Sequence, residues 1–336
     1  MPTFCRHNRL LQNCPICSRE QDVEMRPVVS SGTPASPSRD LPSPGRASGG
    51  PARTSGRSLR GASAADVRVR RLERSADDGY RSPLAPGLRS RADAERLATD
   101  LGFAASRLQR LASAPPGLYA EVADPGIDVE ERAWLAFLIA YLCPLEGEDP
   151  FAAIRDARTT WASGAVPAVD DVATGPRAAH DPGRGTRTLD AYRAWAGRAG
   201  SQAQAFGGEQ GWTRERRFAR VLERLALPGL HRDSRFDLLV TLGCLGVFEL
   251  RAGTLALGGG DEVTIAAKRA LGIGDTLLLE RRAQQLADAC GLPLAAVDLG
   301  LFNWARPSEE RATLGLGPAA KPDPASVDTA RAALSV

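Results

Sequence analysis

Four residues with metal-binding side chains lie close together near the start of the chain: Cys5, His7, Cys14 and Cys17. Their C-x-H-x6-C-x2-C spacing places two thiolates on one tight turn and a thiolate and an imidazole on a neighbouring turn, which is the donor set of a tetrahedral zinc site. Four protein ligands leave no open position for water, so we expect the zinc to be structural. A segment this short has no core of its own, and metal binding must supply most of its folding free energy. A redox CxxC pair is the competing interpretation, but no βαβ pattern surrounds it and His7 would have no role.

A second group of residues with chemical potential is the sequence Gly272-Ile273-Gly274, between a helix predicted to end at Leu271 and one predicted over residues 276–290. Two glycines around one aliphatic residue allow backbone amides to point outward together at a helix N-terminus, where they form a concavity for a phosphate. This arrangement is typical of a helix-hairpin-helix clamp on the DNA backbone. Any helical turn can carry glycines, so a plain turn is the alternative interpretation.

An aspartate follows this hairpin after a turn at Gly291 and Pro293. Val297 and Asp298 are predicted to open a further helix over residues 299–305, with Asn303 and Trp304 more than one turn beyond Asp298. Asp caps helices well, so Asp298 has a simple structural explanation, which is compatible with a chemical one.

The elements that must position these residues are predicted to be mostly helical. Apolar residues three and four positions apart begin after residue 91, and an almost wholly apolar segment that opens at Asp128 and Glu131 and ends at Pro144 predicts a central buried helix. Further helices are expected over residues 189–199, over 214–227 after a Thr213 cap, and over 235–250. The only strand signal is a possible short hairpin around residues 253–260. The fold class is therefore mostly α.

Composition divides the chain into four parts. Between Pro27 and Ser90 there are 8 Pro, 8 Gly and 12 Ser among 64 residues, a stretch that cannot bury enough apolar surface to offset its ordering entropy. We therefore predict a zinc knuckle over residues 1–24, a disordered linker over 25–90, a helical domain over 91–307 and a C-terminal tail over 308–336. Arginines in the linker form a plausible nonspecific phosphate-binding arm, and a solvated linker is the alternative.

Residues 163–187 are rich in Gly, Pro and Asp and predict a long surface loop. From this loop Arg177, His180, Arg184 and Arg187 are positioned to approach phosphates, and a variable insertion is the alternative interpretation.

Charge and hydropathy exclude several classes of protein. The net charge of +3 gives no global signal for a polyanion, so any nucleic-acid surface must be local. The longest apolar run, residues 133–143, is much shorter than a membrane span, and no signal-peptide pattern follows Met1. We expect a cytoplasmic protein without membrane contact, in which Cys143, Cys244 and Cys290 are reduced core residues.

The hairpin, the helix after it and the Val-Asp at a helix start together resemble the helix-hairpin-helix DNA glycosylase superfamily. More specifically, the motifs CRHN, CPIC, WLAFLIAYLC, RFDLLVTLGCLGVFEL, LGIGDTLLLERR and VDLGLFNW resemble the bacterial family alpha-glutamyl/putrescinyl thymine pyrophosphorylase, third clade. That family is related to the glycosylases and includes glycosylases directed against phage DNA with hypermodified bases. The resemblance covers the knuckle and most of residues 91–307.

The resemblance implies a helix-hairpin-helix glycosylase-like domain with an N-terminal zinc knuckle, in which Asp298 is the catalytic carboxylate. It implies excision of a hypermodified or glucosylated pyrimidine from DNA, with phage DNA as the expected source. Asn303 and Trp304 would line the base pocket, and helix packing is their alternative role. Bifunctional members of the superfamily carry a lysine just after the hairpin glycines, where this chain has Asp275 and Thr276. We therefore expect a monofunctional enzyme that leaves an abasic site.

Two other functions remain open on the sequence alone. The family name taken literally predicts a transferase that displaces pyrophosphate from a modified hydroxymethyl-pyrimidine in DNA, although no dedicated acidic metal cluster is visible. A noncatalytic zinc-knuckle protein that binds DNA is the third hypothesis, favoured if Asp298 is buried and fully engaged without an adjacent cleft.

Overall fold

A computed structural model describes residues 76–336, and this part of the protein is mostly helical without β-strands. The α-helices of the described part are α1 (Arg91–Ser113), α2 (Leu118–Ala123), α3 (Val129–Leu142), α4 (Ala152–Ala157), α5 (Arg187–Ala199), α6 (Gln202–Gly207), α7 (Arg214–Arg224), α8 (Arg232–Cys244), α9 (Glu262–Leu271), α10 (Thr276–Ala289), α11 (Leu294–Trp304) and α12 (Pro324–Leu334). Two short 3-10 turns lie at Pro182–Arg184 and Ser308–Glu310. The predicted zinc ligands Cys5, His7, Cys14 and Cys17, and the predicted linker up to residue 75, lie outside the described residues.

The apolar periodicity of the sequence is confirmed where it is strongest. In α1 every predicted core position is buried, from Ala94 to Leu111. Helix α3 begins after Asp128, whose side chain accepts a hydrogen bond from the amide of Glu130, and its residues 133–142 are all buried. Thr213 caps α7 in the predicted way. Helix α7 combines an apolar stripe with a capping side chain, whereas α1 forms on its apolar stripe without a side-chain cap and α3 is capped but buried all round.

Helix α11 is the element around which the C-terminal half of the protein packs. It contacts α1 most extensively and also contacts α9 and α10, while α3 packs against α8 and α12 against α1. A Cβ at Gly300 would lie 2.8 Å from the side chain of Leu101, so glycine at this position allows α11 and α1 to approach closely. The close approach fixes the height and rotation of α11, which carries Asp298.

The ordered domain extends on both sides of the predicted 91–307. Ala85 and Leu88, in the predicted linker, are buried, and the amide of Gly87 donates to the carbonyl of Ala270 at 3.0 Å. In the predicted tail, α12 packs on α1 with Ala330 and Leu334 fully buried. Both short segments are held by tertiary contacts with helices distant in sequence.

The short hairpin expected around residues 253–260 is absent from the described structure, which has an irregular loop there. The carboxylate of Glu280 in α10 accepts the amides of Leu255 and Leu257 and the hydroxyl of Thr254, at 2.9, 2.6 and 3.0 Å. A side chain therefore satisfies the backbone donors that a β-ladder would otherwise use.

No single helix among residues 76–336 is long and apolar enough to span a membrane, while α10 and α11 reach that length only as a pair bent by 104°. Cys143, Cys244 and Cys290 are free, and Cys143 and Cys290 are buried, as expected of core residues.

Candidate functional site

Asp298 lies inside helix α11 rather than at its start. The helix begins at Leu294 directly after Pro293, whose fixed φ of −64° and missing N–H suit the position before a first helical turn. The expected start at residue 299 is therefore wrong, and Asp298 cannot act as the helix cap. Its side chain is only 1% exposed, so burial of this carboxylate requires partners.

Two arginines are those partners. Arg177 donates from Nη2 to Asp298 Oδ1 at 2.7 Å, and Arg232 Nη1 lies against Asp298 Oδ2 in a second ion pair. Arg177 also holds Asp237 with two hydrogen bonds, of 2.7 Å from Nε and 3.2 Å from Nη2. Arg232 also pairs with Asp233 at 3.0 Å. The cluster thus contains three carboxylates and two guanidinium groups, one negative charge more than it has positive charges.

Burial and charge act in opposite directions on the pKa of Asp298. Burial raises this pKa, while the neighbouring charges of Arg232 and Arg177 oppose the rise. Burial by itself would lower the pKa of Arg177, but Asp237 and Asp298 outweigh it and hold that pKa well above its ordinary value. The carboxylates likewise raise the pKa of Arg232, so both arginines stay charged.

A cleft of about 420 Å³ lies beside this cluster. Its walls contain both arginines that contact Asp298. The lining residues come from four separate parts of the chain: Pro176, Arg177, Ala178, His231, Arg232, Asp233, Gly260, Asp261, Glu262 and Phe302. The guanidinium of Arg177 stacks on the ring of Phe302, with its central carbon 4.6 Å from the ring centroid. A cleft of this volume accommodates a group the size of a nucleobase or a sugar.

Two polar atoms of the cluster have no hydrogen-bond partner within the described part of the chain. They are Asp298 Oδ2, which contacts Arg232 without hydrogen-bond geometry, and Arg177 Nη1. An unsatisfied buried acceptor and donor cost free energy, so each requires an explanation, such as a catalytic role or a bound water molecule. The site therefore offers one donor, Arg177 Nη1, without a partner, and one carboxylate oxygen whose only contact within the cluster is the ion pair with Arg232.

The structure corrects the prediction for the loop over residues 163–187. The sequence predicts Arg177 on the surface, yet its side chain is fully buried. The hydroxyl of Ser234 donates to the carbonyl of Arg177 at 2.8 Å, and the carboxylates of Asp237 and Asp298 bind its guanidinium. His180 is half-buried against Tyr141, with 3.0 Å between Nδ1 and the phenol oxygen. Arg184 and Arg187 remain exposed, and these two are the residues of the loop that are free to approach a phosphate.

The turn at Gly272, Ile273 and Gly274 joins helices α9 and α10, while the helix-hairpin-helix clamp on DNA stays a prediction. Gly272 adopts a left-handed φ of 66°, and its amide donates to Lys268 O at 3.0 Å, which ends α9. Asp275 caps α10 by accepting the amide of Leu278 at 2.9 Å. The amide of Gly272 is therefore used within the protein, and any phosphate must bind the later amides of the turn and of the first helical turn.

Asn303 and Trp304 are both enclosed by the protein. Asn303 exchanges two hydrogen bonds with the backbone of Ala312, at 3.2 and 2.8 Å, and the Trp304 indole donates to Asp93 O at 3.0 Å. Both residues are 2% exposed, a geometry that corresponds to the helix-packing alternative. Phe302, which the sequence did not single out, is the residue at this end of α11 that faces the cleft.

Within residues 76–336 no group of three or more His, Cys, Asp or Glu side chains is arranged to hold a metal ion. No protein-family model, curated protein or solved structure matches this chain.

Proposed function

We propose that this protein is a DNA glycosylase that flips out a hypermodified or glucosylated pyrimidine, excises it and leaves an abasic site. One observation carries the proposal: the carboxylate that follows the hairpin, Asp298, is buried beside a nucleoside-sized cleft with an oxygen that makes no hydrogen bond. The resemblance of the hairpin and of the Val297-Asp298 motif to helix-hairpin-helix glycosylases supports the same role.

The chemistry follows from the charge of the cluster. When the N-glycosidic bond breaks, its electron pair leaves with the base and the sugar acquires oxocarbenium character. The excess negative charge of Asp298, Asp237 and Asp233 over the two arginines stabilises that developing positive charge electrostatically. Asp298 Oδ2 then accepts a proton from the water that attacks the anomeric carbon, and the departing base takes up a proton from solvent.

DNA binding is assigned to the hairpin and to the cleft. The turn at Gly272, Ile273 and Gly274 would hold a backbone phosphate, which positions the duplex without reading its sequence. The target nucleotide must leave the base stack, since its glycosidic bond is otherwise inaccessible. Arg177 Nη1 is the unused donor beside the cleft, and it suits a carbonyl oxygen of the extruded pyrimidine.

Lys268 supports a monofunctional rather than a lyase mechanism. It precedes the hairpin and is exposed, whereas a Schiff-base lysine must be desolvated to react as a free amine at neutral pH. We expect borohydride to trap no covalent adduct with DNA, and an adduct that disappears in Lys268→Ala would contradict the monofunctional assignment.

The direct test is incubation of the purified protein with unmodified, hydroxymethylated and glucosylated phage DNA. Mass spectrometry of the released bases and an aldehyde-reactive probe for abasic sites give the readout. Free modified base together with abasic sites is the expected result. Release of pyrophosphate without base would instead indicate the transferase, and binding without any release would indicate a noncatalytic protein.

The noncatalytic hypothesis has one specific observation in its favour. Asp298 is 1% exposed and paired with two arginines, an arrangement that also satisfies a purely structural carboxylate. The cleft beside Arg177 and Arg232 favours the enzyme, because a structural ion-pair cluster has no need of an open space at its edge.

A further inference from the structure

We propose that Asp237 is a positioning residue that acts on Asp298 through Arg177, an inference that rests on the proposed glycosylase function. Asp237 lies in α8 and Asp298 in α11, and no direct contact is needed between them, because one guanidinium group binds both. The arrangement is a relay of three side chains from two helices and one loop.

The geometry of Arg177 explains how the relay works. Its Nε and Nη2 form a fork on the two oxygens of Asp237, and the same Nη2 donates to Asp298 Oδ1. A fork of two parallel bonds fixes the plane of the guanidinium, which a single bond does not. Phe302 supports that plane from one face, at 4.6 Å from the guanidinium carbon.

As a consequence, the two oxygens of Asp298 have different surroundings. Oδ1 is held by Arg177 and Oδ2 lies against Arg232 Nη1, so the two contacts together orient the carboxylate, and Oδ2 is the oxygen without a hydrogen bond. If Asp237 did not hold Arg177, the guanidinium could turn and bind Asp298 with both nitrogens. That rotation would bring a second guanidinium against Oδ2, which already contacts Arg232 and is the oxygen assigned to the attacking water.

Asp237 itself has no access to a nucleotide. It is 7% exposed and does not line the large cleft. On its other side lies a cavity of about 10 Å³ shared with Arg107 and Thr241, which is space for at most about one water molecule. Any effect of Asp237 on base release must therefore pass through Arg177.

The test compares Asp237→Asn with Asp298→Asn and with the double variant, in single-turnover base release from modified DNA. We expect Asp237→Asn to slow release at least about tenfold with unchanged DNA affinity, because a misplaced catalytic group costs rate rather than binding. In the double variant we expect no further slowing beyond Asp298→Asn, since the relay acts only through that carboxylate.

Asp100→Asn is the matched control, because Asp100 is equally buried and pairs with Arg311 at 2.6 Å, outside the relay. It should leave the release rate within about twofold of the parent rate. Arg177→Lys is a second variant for the case that Asp237→Asn does not fold. Lysine keeps the charge but cannot form the fork, so it should also slow release.

Three results would overturn the inference. Parent-like release in Asp237→Asn or in Arg177→Lys would show that the fork is not needed. Equal slowing of the parent and of Asp298→Asn by the Asp237 substitution would show that Asp237 acts independently of Asp298. If the parent releases no base from any modified DNA, the proposed function fails and this inference fails with it, whereas the first two results leave the glycosylase assignment intact.

Discussion

Two buried aspartates of this protein, Asp298 and Asp100, are paired with arginine in different surroundings. Asp298 contacts Arg177 and Arg232 beside a cleft, whereas Asp100 in α1 is held by Arg311 alone. Burial raises the pKa in both cases, so neither carboxyl behaves like an exposed one. The two residues differ in that the arginines of Asp298 line a cleft, which is the basis of its proposed catalytic role.

Asp100 gives a prediction for the pH dependence of folding. Burial raises its pKa from an ordinary 3.8 to about 6, with Arg311 opposing the rise. Between pH 3.8 and about pH 6, Asp100 holds its proton in the folded protein but loses it in the unfolded chain. Its contribution to the free energy of unfolding is therefore complete below pH 3.8 and is lost as the pH rises towards 6. The contribution lost is about 3 kcal/mol, at about 1.4 kcal/mol per pKa unit.

The measurement is urea unfolding of the parent and of Asp100→Asn at several pH values across that window. The free energy of unfolding of the parent should fall relative to that of the variant as pH rises. A difference between the two proteins that stays constant with pH would contradict the assignment.

At the scale of residues, the sequence predicts Asp298 as a site residue but does not predict the two arginines that contact it. Arg177 lies 121 residues before Asp298, in a segment whose Gly and Pro content predicts a surface loop. Nothing in the local pattern separates Arg177 from Arg184, because only the tertiary fold decides which arginine is buried. The same holds for Arg232 and Asp237, which lie in a helix that is buried on most of its surface, polar residues included.

At the scale of elements, the two hairpin glycines have different roles. Gly272 has a positive φ, and a Cβ there would lie 3.1 Å from the amide nitrogen of Gly87, so glycine is required for folding. Gly274 has no atom within 4 Å of a Cβ position and no positive φ. A side chain at residue 274 would therefore project into open space, where the DNA backbone is expected to bind.

We predict that Gly274→Val weakens DNA binding about equally for all sequences at a fixed salt concentration, with a nearly unchanged melting temperature. Gly272→Val should instead destabilise the fold by about 1–3 kcal/mol through backbone strain. Fluorescence anisotropy with several duplexes and thermal unfolding separate the two effects. If Gly274→Val binds DNA as tightly as the parent, the hairpin is only a turn.

Helix existence follows from the sequence more reliably than helix boundaries do. Helix α1 is predictable from its apolar periodicity, α3 from its long apolar run after a capping Asp128, and α7 from both periodicity and the Thr213 cap. Helix α11 begins five residues earlier than predicted, since Pro293 rather than Asp298 precedes its first turn. The local sequence of residues 253–260 predicts a hairpin, which the structure does not have. The local sequence cannot show that the loop is instead stabilised by Glu280, which lies in helix α10 and accepts its backbone amides.

At the scale of the whole molecule, a net charge of +3 requires DNA binding to be local. Within the described residues the hairpin, the cleft and the exposed Arg184 and Arg187 are the candidate contacts. The knuckle of Cys5, His7, Cys14 and Cys17 is predicted from spacing alone and lies outside the described residues.

We predict one structural zinc ion per chain, held by Cys5, His7, Cys14 and Cys17. Elemental analysis of the purified full chain should find about one equivalent of zinc. Cys14→Ser with Cys17→Ser should lose the metal, while Cys244→Ser, in the helical domain, should keep it. Absence of zinc from the parent, or full retention in the double variant, would remove the knuckle from the account.

The central claim is that Asp298 excises a modified pyrimidine, and single-turnover base release by Asp298→Asn tests it most directly. Parent, Asp298→Asn and the matched control Asp100→Asn are mixed in excess with duplex DNA that contains the modified base, after DNA binding by each has been verified. We predict that Asp298→Asn binds this DNA but releases base at least about a hundredfold more slowly, while Asp100→Asn remains close to the parent. Release by Asp298→Asn at the parent rate would contradict the account.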